Sequence, residues 1–403
     1  MKILHITTQK PNSTGSGTYM CAVVKGFEKI GYEQTIIAGI DKDDSKVTPV
    51  EGVKYSPVLY STKHLPFDVL GMSDVMPYSS TRYRDIKDRD VEMLKRAFKN
   101  NITKGIEEFK PDIIICHHLY LLTAYVRELI NDIPVIGICH GTCLMQLLSH
   151  DLEREYILSN IQKLDKVFAL HEEQKKDIID VFNMDENKVG VLGSGYDEEI
   201  FFNHEKKLTS NKINITYAGK IAKLKGVKSL IKALDKLKYD KDILNINIIG
   251  DGHEPKEYEE IVSLGKQSEY NINFLGKIKQ DSLSKVFRES HLFILPSFFE
   301  GLPLVVIEAL ASGCNVVTTD IKGVKDWIGE GINNSGKIDY IKLPNMKSIG
   351  VPYEEEIEDF EDRLALSINN MLKKIIEENS RNKILDMKDK TWSGLCQRLE
   401  NMI

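Results

Sequence analysis

The chain has 403 residues and a formal net charge of −6 at pH 7, so no excess of basic residues indicates a nucleic-acid partner. No apolar stretch approaches the ~20 residues needed to cross a bilayer, and the first residues lack the pattern of a signal peptide. We therefore expect a cytoplasmic protein of two domains, each of roughly 200 residues. Peripheral contact with the inner face of a membrane stays open.

Short apolar runs alternate with helix-length segments along the whole chain. In the first half these runs are KILHITT, QTIIAGI, DIIIC, PVIGIC, KVFAL and KVGVL. The second half repeats the scheme with NITYAG, LNINIIG, INFLG, LFILP and NVVTT. Runs of this kind indicate parallel strands that are buried on both faces. The predicted fold is α/β, with two Rossmann-like, doubly wound domains.

The domain bounds follow from a break in this alternation. Glycine and polar residues at 193–210 separate the two halves. We therefore predict a first domain over residues 1–200 and a second over residues 205–378. A last helix around Trp392 to Met402, within about 380–403, is expected to pack back on the first domain.

Small polar residues follow the first predicted strand, from Asn12 to Thr18, and include Gly15 and Gly17. Small residues at a helix start let a ligand approach the backbone. The loop is not the GxGxxG of a dinucleotide fold, and Asp41 is the only acid placed to hold a ribose after the second strand. The pattern therefore argues against a dehydrogenase.

Cysteines and histidines collect at the ends of two neighbouring predicted strands. They are Cys116, His117, His118, Cys139, His140 and Cys143. A zinc site could be drawn from them, but the tight CxxC or HExxH spacing of such sites is missing, so no metal is expected. All six cysteines of the chain are predicted to be buried, reduced thiols.

The second half opens with TYAGKIAKLKG, in which Gly219 and Lys220 end a strand and Lys225 precedes Gly226 and a helix. Two ammonium groups on a strand-to-helix loop could clamp a diphosphate and neutralise a departing nucleotide. A charge-rich solvated loop would contain the same residues. This loop alone therefore leaves both interpretations open.

The segment FFEGLPLVVIEALASGCNVV carries two carboxylates eight residues apart, Glu300 and Glu308. Pro303 predicts a helix start between them, so Glu300 should lie on a loop and Glu308 in the second turn. A helix start offers unpaired N–H groups that suit phosphate, while carboxylates suit hydroxyls. The pair therefore points to a sugar nucleotide, although a solvated helix start could show the same spacing.

Together these segments resemble the retaining glycosyltransferases of family 4, also called glycosyl transferases group 1. FEGLPLVVIEALASGCNVV resembles the family's E-x7-E segment, and GKIAKLKG resembles its G-R-L-x-x-x-K-G, with Lys220 in place of arginine. IIGDGHE, FLGKI and LPSFFEG match further strand ends of the same domain, and GSGYDEEIF matches the segment that leads out of the first domain. The resemblance implies the GT-B fold, in which two Rossmann-like domains face a central cleft, with acceptor bound by the first and donor by the second.

The resemblance also implies roles in the second domain. Glu308 would bind the donor ribose, Glu300 the hydroxyls of the transferred sugar, and Ile278 would lie against the base. Lys220 and Lys225 would stabilise the leaving diphosphate, and His140 of the first domain matches the family's active-site histidine. The implied donor-binding residues are Gly15, Ser16, Gly219, Ile278, Gly301, Leu302, Pro303, Leu304, Val305 and Glu308.

The chain departs from the family at three positions. Besides Lys220, Thr14 replaces the first glycine of a glycine pair, and His171 stands where serine is common. The irregular stretch 49–90, with its arginines and hydroxyls, would suit an anionic or polyhydroxyl acceptor, and a plain surface loop would look the same. The candidate acceptor-binding residues are His118, Tyr120, Arg82 and Arg84.

The reaction implied is metal-independent transfer from a nucleotide-diphosphate sugar, a UDP-sugar above others, with retained anomeric configuration and no cofactor. The acceptor would be a small molecule, a glycan or a lipid-linked hydroxyl. Lysines among apolar positions in residues 91–110 leave a membrane-bound acceptor open. Two alternatives are a nucleotide-sugar epimerase of GT-B fold and a non-catalytic nucleotide-sugar-binding protein. The sequence leaves the sugar, the linkage and the oligomeric state undetermined.

Overall fold

In the computed structural model the chain forms two compact units, Met1–Ser194 with Trp392–Ile403, and Gly195–Thr391. The structure describes residues 1–44, 48–74, 76–203, 212–252, 254–348, 350–378 and 384–403. Parts of the predicted domain boundary, residues 204–210, and of the predicted last helix, residues 380–383, lie outside them. None of the helices in the described ranges combines the length and the apolar character needed to span a bilayer.

The first unit is built on a seven-stranded sheet in the order β3-β2-β1-β6-β7-β8-β9, and the neighbouring strands in it run parallel. Its central strands are rich in branched apolar residues and are buried on both faces. Two further short strands, β4 and β5, pair with each other. The strands are β1 (Lys2–Thr7), β2 (Glu33–Asp41), β3 (Lys54–Tyr60), β4 (Leu70–Gly71), β5 (Thr81–Arg82), β6 (Ile113–His117), β7 (Val135–Ile138), β8 (Lys166–Ala169) and β9 (Val189–Val191).

Helices connect these strands. They are α1 (Gly15–Lys29), α2 (Asp88–Phe109), α3 (Leu121–Leu129), α4 (Thr142–Ser149), α5 (Arg154–Ile161) and α6 (Glu172–Phe182). The apolar positions of α2, namely Val91, Leu94, Phe98 and Ile102, are all buried. These apolar positions of α2 therefore contribute to the core of the first unit.

The second unit contains a six-stranded parallel sheet in the order β12-β11-β10-β13-β14-β15. Its strands are β10 (Ile213–Ala218), β11 (Leu244–Ile249), β12 (Ile272–Gly276), β13 (Leu292–Leu295), β14 (Asn315–Thr319) and β15 (Ile338–Ile341), followed by a separate pair, β16 (Met346–Ser348) and β17 (Val351–Pro352). These two parallel sheets confirm the predicted fold class.

The helices of the second unit complete the alternation. They are α7 (Val227–Asp235), α8 (Pro255–Gln267), α9 (Gln280–Glu289), α10 (Leu304–Ala311), α11 (Val324–Ile328), α12 (Glu330–Asn333) and α13 (Ile357–Glu378). In each sheet the strand order changes direction at one place, beside β1 in the first unit and beside β10 in the second. Open α/β sheets bind ligands at the carboxyl ends of the strands at such a point.

The last helix, α14 (Trp392–Met402), packs on α1 within the first unit. The ring of Trp392 meets that of Tyr19 edge to face at 5.2 Å, and the hydroxyl of Tyr32 hydrogen-bonds to the Glu400 carboxylate. Gly26 faces Cys396, and a Cβ on Gly26 would overlap the Cys396 sulfur. The close approach of the two helices thus requires the absence of a side chain at position 26.

We expect Gly26→Ala to lower the free energy of unfolding by about 1–3 kcal/mol, because the added methyl group forces α14 away from α1. Urea denaturation of the two proteins measures this difference. In the Gly26→Ala/Cys396→Ala double variant the sulfur is gone, so the methyl group should cost less there than in the wild-type background. Equal costs in both backgrounds would contradict the packing described.

Candidate functional site

The loop after β10 is held against the end of β13 in the second unit. Gly226 has φ +66°, and a Cβ there would overlap the carbonyl oxygen of Pro296. The amide of Phe298 donates a hydrogen bond of 2.9 Å to the Leu224 carbonyl. Glycine is therefore required at position 226 to bring the two strand ends together.

Lys225 and Glu300 form an ion pair where these two strand ends meet. The Lys225 Nζ lies 2.7 Å from Glu300 Oε2, and both side chains are mostly buried, with 17% and 18% exposed. Lys225 Nζ also donates to the Phe299 carbonyl at 3.2 Å, and the Ser297 hydroxyl donates to Glu300 Oε1 at 2.8 Å. The Glu300 carboxylate is thus oriented from two sides.

Glu308 lies in the second turn of α10, as the sequence predicts. Burial, with a smaller contribution from the Asp197 carboxylate, raises the pKa of Glu308 from 4.5 to about 8. Its side chain is half-buried, and none of the described residues donates a hydrogen bond to its carboxyl group. A protonated, uncompensated carboxyl at this place can both donate to and accept from a hydroxyl-bearing ligand.

The start of α10 lacks a side-chain cap and is partly exposed. Pro303 stands at the N-cap without a side-chain capping hydrogen bond. Leu302, Leu304 and Val305 are half-buried and Gly301 is exposed. The amides of Leu304 and Val306 donate to the Leu302 and Pro303 carbonyls at 3.0 and 2.9 Å, which leaves the Val305 amide for an anion within the described residues.

Lys220 and Gly219 are exposed directly after β10. Within the described ranges no carboxylate pairs with the Lys220 ammonium. The Lys220 carbonyl accepts a hydrogen bond of 2.7 Å from the Tyr217 hydroxyl, and burial raises the pKa of Tyr217 well above its usual value, so this donor stays protonated. The backbone of Lys220 is thereby fixed while its charge remains available.

Ile278 follows β12 and lines an open depression of about 640 Å³ in the second unit. Ile200, Lys277, Lys279, Gln280 and Asp281 form the rest of its wall. The structure therefore places the predicted base-binding residue in a concave site.

In the first unit the glycine loop begins α1. Thr14 is the N-cap, and its hydroxyl accepts a hydrogen bond of 3.0 Å from the Gly17 amide. Gly15 is exposed, with no atom within 4 Å of the position of an added Cβ. Threonine at the first position of the pair thus supplies a helix cap that glycine would lack.

Gln9, which the motifs did not single out, links this loop to a buried histidine. Its Oε1 accepts from the Ser16 hydroxyl at 3.0 Å and lies 3.1 Å from His118 Nε2. His118 has φ +77°, and its amide donates to the Ile138 carbonyl at 2.9 Å. Such strain is uncommon outside glycine and concentrates at functional sites. Gln9 could have been found in the sequence as a polar residue close after the first buried strand.

His140 lies among other rings at the end of β7. Its Nε2 is 3.3 Å from His117 Nδ1, and its ring meets that of Tyr19 edge to face at 5.0 Å. Burial lowers the pKa of His140 and of His117 well below 6.5. Both imidazoles are therefore neutral at pH 7, and His140 is suited to hydrogen bonding rather than to carrying a charge.

The candidate acceptor residues fall into two groups. His118 and Tyr120 are buried, and the Tyr120 hydroxyl lies 3.4 Å from His150 Nε2. Arg82 and Arg84 are exposed, and each already has an acidic partner, Asp85 at 2.6 Å and Asp74 at 2.7 Å respectively. The arginines are therefore less available to an acceptor than the sequence pattern indicates.

Two other sequence features have structural explanations. Asp41 pairs with Lys10, whose ammonium also lies 2.7 Å from Asp44, so Asp41 is already engaged. His171 is the N-cap of α6, and its Nδ1 accepts from the Gln174 amide at 3.2 Å. This is the capping role that serine has at many helix starts.

The cysteines are all free and buried, and the sulfurs of Cys139 and Cys143 lie 3.4 Å apart. Across the described residues, no three histidine, cysteine or acidic side chains are arranged to hold a metal ion.

Two family models match the chain. The model described as Glycosyltransferase Family 4 matches residues 13–200, and the one described as Glycosyl transferases group 1 matches residues 196–338. The chain belongs to glycosyltransferase family 4. The predicted family is confirmed, and the predicted GT-B fold with it.

Two curated relatives of this glycosyltransferase are 24% and 27% identical to it. It is 24% identical over 295 residues to an uncharacterized glycosyltransferase of Methanocaldococcus jannaschii, covering 68% of this chain and 73% of that protein. It is 27% identical over 258 residues to the N-acetyl-alpha-D-glucosaminyl L-malate synthase of Bacillus anthracis, covering 58% of this chain and 63% of that protein. The structure of Anabaena HepE in complex with UDP and glucose has a TM-score of 0.68 at 13% identity, covering 100% of this chain and 98% of that one, which shows the fold alone.

The raised pKa of Glu308 predicts a dependence of stability on pH. Between pH 4.5 and about 8 the folded protein holds a proton that the unfolded chain releases, so this contribution to stability is present at low pH and lost as pH rises through about 8. Glu308→Gln lacks the titrating group. We therefore expect the melting temperature of the wild type to fall relative to that of Glu308→Gln between about pH 5 and about pH 9. A difference that is constant with pH would contradict the raised pKa.

Proposed function

We propose that this glycosyltransferase moves a sugar from a nucleoside diphosphate sugar, with UDP as the favoured nucleotide, to a hydroxyl of a small-molecule, glycan or lipid-linked acceptor. The transfer would retain the anomeric configuration and need no metal. The observation that carries the proposal is the array of Lys220, Lys225, Glu300 and Glu308 around two adjacent strand ends in the second unit. HepE, which has the same fold, was solved with UDP and glucose, and this supports the choice of donor.

Leaving-group stabilisation would come from the two lysines. Breaking the bond between sugar and diphosphate leaves negative charge on the phosphate oxygens, and cations placed there stabilise the transition state. Lys220 has no acidic partner in the described part of the chain, and Lys225 can turn from Glu300 toward a phosphate. Lysine at position 220 supplies a point charge without the fork geometry of arginine.

The two glutamates would act on different hydroxyls. Glu300, oriented by Ser297 and Lys225, would accept hydrogen bonds from the transferred sugar. Glu308 would bind the ribose, which would give its carboxyl group the partner it lacks within the described residues. Ile278 would lie against the base in the depression after β12.

On the first unit, Gly15 and Ser16 would contribute to donor binding, and neutral His140 would hydrogen-bond to the sugar or the acceptor. His118, Tyr120, Arg82 and Arg84 remain the candidate acceptor-binding residues. An anionic acceptor would have to draw the two arginines away from Asp85 and Asp74.

The test begins with a thermal-shift screen of nucleotide sugars, followed by kinetics of UDP release with and without acceptors. We expect Glu300→Gln and Lys225→Ala each to lower the rate by about 10²–10³-fold, since each removes a charge placed for the reaction. Analysis of the product by NMR would give the configuration at its anomeric carbon, which should match that of the donor.

Lys223→Ala is the matched control for Lys225→Ala. Lys223 belongs to the same turn, but its ammonium faces Glu260 at 3.9 Å, so its removal should leave the rate unchanged. The proposal is wrong if the wild type and Glu300→Gln release UDP from every donor equally slowly. It also fails if Lys223→Ala and Lys225→Ala lower the rate equally.

A further inference from the structure

A basic cavity of about 630 Å³ lies in the first unit and shares no residue with the proposed donor or acceptor sites. The end of β3, the loop after it and the N-terminal half of α2 form its walls. Its polar lining is dominated by Lys63, His64, Arg89, Arg96 and Asn100. The volume is in the range of small-molecule sites and is too large for a bare ion alone.

The helical wall of the cavity follows from the periodicity of α2. Arg89, Met93, Arg96 and Asn100 recur at intervals of four, three and four residues, so they lie on one face of the helix. The buried residues of α2 occupy the opposite face. Arg89 and Arg96 are therefore presented together on the exposed side of the helix, which forms one wall of the open cavity.

The facing wall is fixed by hydrogen bonds. The Thr62 hydroxyl accepts from the amides of His64 and Leu65 at 3.3 and 3.2 Å, and Leu65 is fully buried. This closes a tight turn that carries Lys63 and His64. Asn101 donates from Nδ2 to Ser56 Oγ and to the Pro57 carbonyl, both at 3.1 Å, and so ties α2 to β3. The cavity is thus an open depression whose polar lining is exposed, and the hydrogen bonds hold its two walls in place.

The positive charge of this cavity is only partly compensated. None of Lys63, Arg89 and Arg96 has an acidic partner in the described part of the chain. The single carboxylate in the lining, Glu92, lies 3.8 Å from Lys95, which is outside the cavity. Three cations against one carboxylate leave a formal charge of about +2 in the lining. Arg82 and Arg84, just before α2, are by contrast each paired with an aspartate.

We propose that this cavity binds a phosphate ester of a small molecule. The guanidinium groups of Arg89 and Arg96 would donate to the phosphate oxygens, a geometry for which arginine is well suited, with Lys63 adding a third cation. The charge of a phosphomonoester dianion matches that of the lining. The carbon part of the ester would lie on the apolar wall that Met93 and Ala97 contribute.

Phenyl phosphate is a suitable probe, because it joins a phosphate to an apolar group. Isothermal titration calorimetry would compare the wild type with Arg89→Ala/Arg96→Ala, Lys99→Ala and Lys225→Ala. The arginines are exposed, so circular dichroism should show the double variant folded. We expect its affinity to fall by about tenfold or more, since hydrogen bonds to a charged group are lost. Lys99 is exposed on α2 outside the lining, so Lys99→Ala should bind like the wild type.

Lys225→Ala separates this proposal from that of the donor site. Binding that persists in Lys225→Ala and is lost in the arginine variant supports the cavity. Binding lost only in Lys225→Ala overturns it, and so does equal binding by the wild type and the arginine variant.

Inorganic phosphate bound as tightly as phenyl phosphate would overturn the role of the apolar wall. Arginine-dependent binding to phosphatidylglycerol vesicles without binding of phenyl phosphate would identify a lipid surface instead and overturn the small-molecule site.

Discussion

The parallel pairing of β10 with β13 is the constraint on which the candidate donor site depends. Parallel strands end at the same edge of a sheet, and the strand order changes direction between these two, which is where open α/β sheets bind ligands. The Lys223–Lys225 turn comes after β10 in the chain, and Glu300 comes after β13. Gly226 then allows the first segment to approach Pro296, and without that approach the Lys225–Glu300 pair could not form.

The polar side chains at the carboxyl edges of the two sheets differ in charge. In the second unit the side chains are charged or close to titrating, with Lys220 unpaired in the described part of the chain and Glu308 raised in pKa to about 8. In the first unit burial keeps His117 and His140 neutral. The second unit is thus suited to stabilising phosphate charge, and the first to hydrogen bonding with neutral groups. This difference agrees with the proposed division into donor and acceptor domains.

The sequence was sufficient for the fold because its strands are buried on both faces and read as continuous apolar runs between helices. Glu308 in a second helical turn also follows from local rules, because Pro303 marks the helix start. Contacts between distant segments could not be read in the same way. The hydrogen bond of Gln9 to Ser16 and the pairing of Arg84 with Asp74 depend on how separate loops fold over the sheet. The sequence also did not indicate that Arg89, Arg96 and Lys63 line one cavity, because cations are common on protein surfaces and their spacing across two loops is not a local pattern.

Hydrogen–deuterium exchange with and without UDP tests most directly whether the carboxyl edge of the second sheet binds the nucleotide. The account predicts slower exchange in peptides that contain residues 219–226, 276–281 and 300–306, since these three segments hold the lysines, Ile278 and the start of α10. Peptides from 89–101 should be unchanged by UDP. Slower exchange confined to other segments, or no change at a UDP concentration that raises the melting temperature, would contradict it.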